Sequence, residues 1–142
     1  MSETVFAAPL LSPLAWRLIW IAHAFLMACM LHLPWAKSAT PSPYQADKVF
    51  HFTSYAILAW LGVVSLSLSG RRHLPRVNLS AGQYRAWFLI LVVLAAVDEV
   101  TQPLTGRTMS MWDFVADLLG IMTGLWASRQ TSLIVLGRNR DL

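Results

Sequence analysis

The chain has 142 residues, enough for one domain; 56% are hydrophobic and only 13% charged, against about 25% charge in soluble domains, and the mean hydropathy is +0.53. This excludes an ordinary soluble domain, and the lack of alternating strand patterns excludes a membrane barrel; what is left is an all-α bundle of transmembrane helices, because lipid forces each segment to satisfy its own backbone. The net charge of +4 is the usual loop charge of a membrane protein, so no nucleic-acid partner is expected.

Met1–Pro13 reads as a short leader. Leu14–Leu33 is the first expected span, about 30 Å long at the helical rise. It reads as a retained helix and not a signal peptide, because the run is long and the leader hardly basic. Arg17 is placed to snorkel to the head groups. His23 reads as a polar packing residue and Trp35 as part of an interfacial belt. The only cysteine, Cys29, reads as a packing residue, so no disulfide is expected.

Trp35–Asp47 reads as a loop and Val49–Leu68 as the second span. Asp47, His51 and Tyr55 stand at i, i+4 and i+8, one face of a helix. Ser69–Arg85 reads as an irregular polar loop with four Arg. Ala86–Leu104 is the third span, broken by Pro103 and Gly106. Ser110, with Asp113 three residues on, resembles a capping box before a fourth span from Met111 to about Gln130.

Charge orients these spans. The second loop and the tail hold most of the Arg, so the positive-inside rule predicts both termini and that loop in the cytoplasm. The first and third loops are then outside. The start of span two, the end of span three and the start of span four fall at one outer level. Asp47, Lys48, His51, Asp98, Glu99, Gln102, Arg107, Ser110, Asp113 and Asp117 are predicted to converge there. Four of the seven acidic residues lie between Asp98 and Asp117. Carboxylates beside lipid-length apolar runs are costly and face a bundle interior or a wet cleft. Asp113, Asp117, Gly120 and Gly124 share a narrow sector. Gly120 and Gly124 form a GxxxG, which lets helices approach closely.

Five acids at that level face Lys37, Lys48 and Arg107. Such crowding is resolved by ion pairs, by protonation of an acid or by a bound cation. Asp with His would suit a transition metal, and oxygens alone Mg²⁺ or Ca²⁺. No compact ligand spacing such as HExxH occurs, so no metal or other cofactor is assigned.

Asp47-Lys48-Val49-Phe50-His51-Phe52-Thr53-Ser54-Tyr55, Asp98-Glu99-Val100-Thr101-Gln102, Gly106-Arg107, Ser110, Asp113, Asp117, Gly120 and Gly124 together resemble the VanZ-like family of small bacterial membrane proteins. The resemblance runs from about Asp47 to Gly124. Family members usually carry Asn where this chain has Asp117. The resemblance implies a multi-pass protein of the bacterial cytoplasmic membrane, a cell-envelope role and, from the family's founder, teicoplanin resistance. It implies no agreed chemistry.

The reading that follows is an outward-facing site binding a lipid, a cell-wall lipid precursor or a lipoglycopeptide, with Lys48 and Arg107 toward its phosphate or carboxylate. An enzyme acting on an envelope lipid or phosphodiester is the alternative. There His51 with Asp47 would be base and orienter, and Glu99 or Asp113 acid or metal ligand. A proton-coupled permease and a purely structural role for the polar residues complete the set. Depth separates them: polar groups confined to one interface argue for binding or catalysis, and groups running through the bundle argue for transport.

Overall fold

A computed structural model describes residues 11–32, 43–67 and 79–138. Residues 1–10 of the leader, Trp35, Lys37, the arginines of the second loop before Leu79, and Arg140 lie outside the described residues. Those described form four α-helices and one 3₁₀ turn, with no strand. α1 spans Pro13–His32 and α2 Pro43–Ser67. α3 spans Ala81–Thr101, and the 3₁₀ turn Gln102–Thr105 follows it. α4 spans Met111–Arg138.

Local chemistry explains most boundaries. Ser12 Oγ accepts the Ala15 amide at 3.2 Å, and Pro13 takes the first helical position, where its missing N–H costs nothing. Pro43 opens α2 in the same way, ahead of the expected start at Val49, so Asp47 and Lys48 stand on a helix and not in a loop. The expected loop Ser69–Arg85 also ends early. Ser80 Oγ accepts the Gln83 amide at 3.2 Å, and Gln83 Oε1 accepts the Ser80 amide at 2.8 Å. That reciprocal capping box starts α3 at Ala81. The break at Pro103 and Gly106 stands: Gly106 takes φ 78°, a left-handed value that favours glycine.

The Ser110–Asp113 capping box does not form in the expected way. The Ser110 amide donates to Glu99 Oε1 on α3, and the Asp113 carboxylate accepts from Lys48 on α2. A carboxylate on a neighbouring helix has replaced the local cap.

α1 and α2 run antiparallel, with the Trp16 and Trp60 ring centroids 6.1 Å apart and His23 Nε2 3.0 Å from the Ser54 carbonyl. α3 also opposes α2: Asp98 faces Tyr55, and Trp87 Nε1 reaches the Ala59 carbonyl at 3.5 Å. α2 and α4 run parallel, paired at Lys48–Asp113, His51–Asp117 and Trp60–Thr131. This pair makes the most extensive helix contact. A Cβ on Gly120 would collide with the Phe52 carbonyl, and one on Gly124 with the Ala56 carbonyl. The GxxxG face therefore seats α4 directly on the α2 backbone.

The core gathers Leu31, Tyr55, Leu58, Val63, Leu91 and Ile121. Outside it, Phe25, Val93 and Trp126 are among the large apolar side chains left exposed. Pro13–His32, Ala46–Ser67 and Ala81–Thr105 are long and apolar enough to cross a membrane. An inside-out surface of this kind marks a multi-pass membrane protein. The C-terminal ends of α1 and α3 therefore share one end of the bundle with the N-terminal ends of α2 and α4.

Candidate functional site

That shared end holds the polar cluster, in two layers. In the outer layer Arg107 Nη2 donates to both carboxylate oxygens of Asp47, at 2.8 and 2.9 Å, and Nη1 donates to the Leu31 carbonyl at 2.8 Å. One guanidinium thus ties the turn after α3 to α2 and to the end of α1. Beside it Lys48 Nζ donates to Asp113 Oδ1 at 3.1 Å. Both cations expected to face a ligand are committed to carboxylates.

The inner layer is mostly buried, with His32 at its edge. His51 Nδ1 stands 2.9 Å from Asp117 Oδ1, and both side chains are 0% exposed. Tyr55 Oη donates to Asp98 Oδ2 at 3.4 Å. His32 Nδ1 donates to the Ala28 carbonyl at 2.9 Å and lies 3.4 Å from Asp98 Oδ1, while its Nε2 is 2.9 Å from Thr101 Oγ1. Glu99 is buried with one oxygen on the Ser110 amide. Gln102 is fully buried where α3 passes into the 3₁₀ turn.

Helical spacing delivers these groups. Asp47 and His51 are one turn apart on α2, as are Asp113 and Asp117 on α4. The parallel pairing of α2 with α4 then sets His51 against Asp117 and Lys48 against Asp113. All nine residues predicted to bind ligand lie at this end, with Ser110 contributing its amide. The partner of His51 differs from the expected one: it is hydrogen-bonded to Asp117, and the Asp47 carboxylate accepts from Arg107.

Sequence reasoning missed His32, Thr101 and the Leu31 carbonyl, and gave Tyr55 no role in the site. The signal was available. The charge argument that put three helix ends at one level puts the end of α1 there too.

Two groups of potential metal ligands share His51. One ring nitrogen and one oxygen from each of Asp47 and Asp113 lie within 4.8 Å of one another. The same holds for His51, Glu99 and Asp117. In the first group both carboxylates already hold a cationic side chain. In the second, His51 Nε2, Glu99 Oε2 and Asp117 Oδ2 have no hydrogen-bond partner among the described residues, and neither does either amide atom of Gln102. Buried polar atoms of this kind are rare in folded proteins, and each needs an explanation in water, ion or ligand.

The cluster reaches a limited depth. His51 and Asp117 lie within about 12 Å of the starts of their helices at 1.5 Å per residue. Below them His23 is bonded to a backbone carbonyl. At the opposite end Arg129 stacks over the Tyr84 ring, 4.4 Å from its centroid.

No protein-family model, curated protein or solved structure matches the chain.

Proposed function

We propose that this chain is a four-span protein of the bacterial cytoplasmic membrane, with both termini in the cytoplasm, that binds the polar head of an amphiphile at the outward-facing end of its bundle. The ligand class is a lipid, a cell-wall lipid precursor or a lipoglycopeptide. One observation carries this: of the six buried side-chain polar atoms without a partner among the described residues, five, on His51, Glu99, Gln102 and Asp117, are gathered from three helices at one end, and only Trp20 Nε1 lies apart. A set kept only for packing would pair its own donors and acceptors. The exposed apolar flanks give the tails of such a ligand a place to lie. The resemblance to the VanZ-like family supports the envelope setting and links the site to tolerance of lipoglycopeptides.

α4 serves as the fourth span. At 28 residues it is about 42 Å long, and its two acids turn inward against α2. Confinement of the polar set to one end favours binding over transport. The buried His51–Asp117 hydrogen bond supports a second reading, in which the bound head group is hydrolysed with His51 as base and Asp117 as its orienter.

The test uses the full chain in lipid nanodiscs, titrated with a polyprenyl phosphate, an anionic phospholipid and teicoplanin. At least one binds saturably to the wild type. Gln102→Leu removes an unpartnered buried amide without orphaning another group, so the fold persists. Its affinity for that ligand falls roughly tenfold, the loss of about 1.4 kcal/mol. No saturable binding of any of the three, or equal binding by Gln102→Leu, overturns the reading. Appearance of a hydrolysed product in the same mixtures decides for the enzyme.

A further inference from the structure

The buried inner layer is rich in electron pairs and poor in donors, the Gln102 amide nitrogen being an unpartnered donor there among the described residues. Glu99 Oε2 and Asp117 Oδ2 are acceptors when ionised. If His51 donates through Nδ1 to Asp117 Oδ1, its Nε2 presents a lone pair as well. A water donates two hydrogens and satisfies only part of that demand. The cationic side chains nearest in the fold, Lys48 and Arg107, are held by Asp113 and Asp47. What would answer the remaining demand is a small positive charge with several open coordination positions.

We propose that His51, Glu99 and Asp117 hold one divalent cation of the Mn²⁺ or Zn²⁺ class. Three observations independent of the acid count point there. One ligand atom from each residue lies within 4.8 Å of the other two. Each side chain is at least nine-tenths buried, at 0%, 4% and 0% exposure. Each also has an atom without a protein partner among the described residues.

The spacing fits as well. Two ligands about 2.1 Å from one ion stand roughly 3.0–3.4 Å apart at octahedral or tetrahedral angles. The ligand atoms of the three residues, within 4.8 Å of one another, need close by no more than about 1.8 Å to reach that spacing. One imidazole with two carboxylates selects a borderline metal over Ca²⁺ or Mg²⁺, which prefer oxygen throughout. Three protein ligands leave positions open, as catalytic and substrate-binding sites do. The group built on Asp47 and Asp113 is a poorer host, because an entering ion would have to displace Arg107 and Lys48.

The ion also gives the binding reading a chemistry. A phosphate or carboxylate head would complete the coordination shell, which explains how an acid-rich pocket accepts an anionic ligand. That step rests on the proposed function; the ion itself does not. No local motif revealed this site, because its three ligands come from three different helices.

The test begins with the metal alone. The full chain, stripped with chelator and placed in nanodiscs of a zwitterionic lipid, is titrated with Mn²⁺ and with Zn²⁺. The expected result is one ion per chain for either metal. Glu99→Gln and Asp117→Asn each weaken binding by roughly tenfold or more, whereas Asp113→Asn weakens it less than either. Pulsed electron paramagnetic resonance of the Mn²⁺ form shows coupling to an imidazole nitrogen, lost in His51→Gln. This readout on the wild type stands even where a variant fails to fold.

Substoichiometric binding, a wild-type signal without nitrogen coupling, or loss in Asp113→Asn with none in Glu99→Gln overturns the proposal. Repeating the amphiphile titration with metal and with chelator separates the two claims. Amphiphile binding that ignores the chelator removes the step in which the head group completes the ion's shell and keeps the binding site. A bound ion with no amphiphile binding keeps the ion and removes the ligand.

Discussion

Arg107 shows how one side chain can organise a bundle end. It joins the turn after the 3₁₀ segment to Asp47 on α2 and to the last turn of α1 through the Leu31 carbonyl. Its side chain is 9% exposed and that of Asp47 is 29%, so the pair is only partly shielded from solvent. Arg107→Lys keeps the charge but loses the fork that engages both carboxylate oxygens. The expected cost is about 1–2 kcal/mol, read as a lower unfolding midpoint in detergent. Arg107→Ala should cost more, because the buried Leu31 carbonyl also loses its donor. If Arg107→Lys and wild type unfold together, the clamp contributes no stability. At this scale the sequence predicted most of the ionisable residues that meet, His32 excepted, since i, i+4 spacing and helix ends are local properties. It could not predict partners. Whether His51 meets Asp47 or Asp117 depends on the register of α2 against α4, and a carbonyl acceptor such as Leu31 O leaves no mark on the sequence.

At the scale of elements, two small motifs do separable jobs. The Gly120 and Gly124 face brings the backbones of α4 and α2 into contact, and that contact sets the register of Asp117 against His51. Gly124→Ala places a Cβ against the Ala56 carbonyl. A backbone atom cannot rotate away as a side chain can, so α4 must shift. The expected loss is about 1–3 kcal/mol, together with weaker ligand binding at residues that Gly124 does not touch. Stability and binding both unchanged would show that the helices do not pack through this face. Ser80→Ala removes the cap of α3 at the other end of the bundle. It should cost about 1 kcal/mol and leave ligand binding intact, which makes it the control for destabilisation alone. The Gly face was legible because glycines at i and i+4 align with the acids on one sector. The Ser80–Gln83 cap was equally legible in principle and was lost inside a stretch read as loop by its polarity. The supposed cap at Ser110 failed for the opposite reason. A local rule fitted, but Glu99, distant in sequence, took the amide.

At the scale of the molecule, the alternating directions of the four helices put every proposed ligand of the site at one end, and charge in the loops predicts that this end faces outward. The claim decides which molecules can reach the site: envelope lipids and drugs if it is right, cytoplasmic ones if the bundle is inverted. Cys29 lies part-buried in α1, so Cys29→Ser gives a background free of thiols at little cost. On it, Met109→Cys marks the site end and Gly82→Cys the opposite end; both positions are exposed. A Cβ at Gly82 meets nothing closer than the Ser80 hydroxyl at 3.9 Å, and Met109 precedes α4, so neither change should disturb packing. A membrane-impermeant maleimide added to intact spheroplasts should label Met109→Cys, and Gly82→Cys only after lysis. The reverse pattern would place the cluster in the cytoplasm and redirect the search to phosphorylated head groups of the inner leaflet. The inward-turned acids of α4 add a constraint that labelling can also reach. If α4 crosses the membrane, a cysteine near its C-terminal end, at Arg129, must be protected as Gly82→Cys is. Labelling of Arg129→Cys from outside would mean that α4 turns back, and only the three strongly apolar helices would remain as spans.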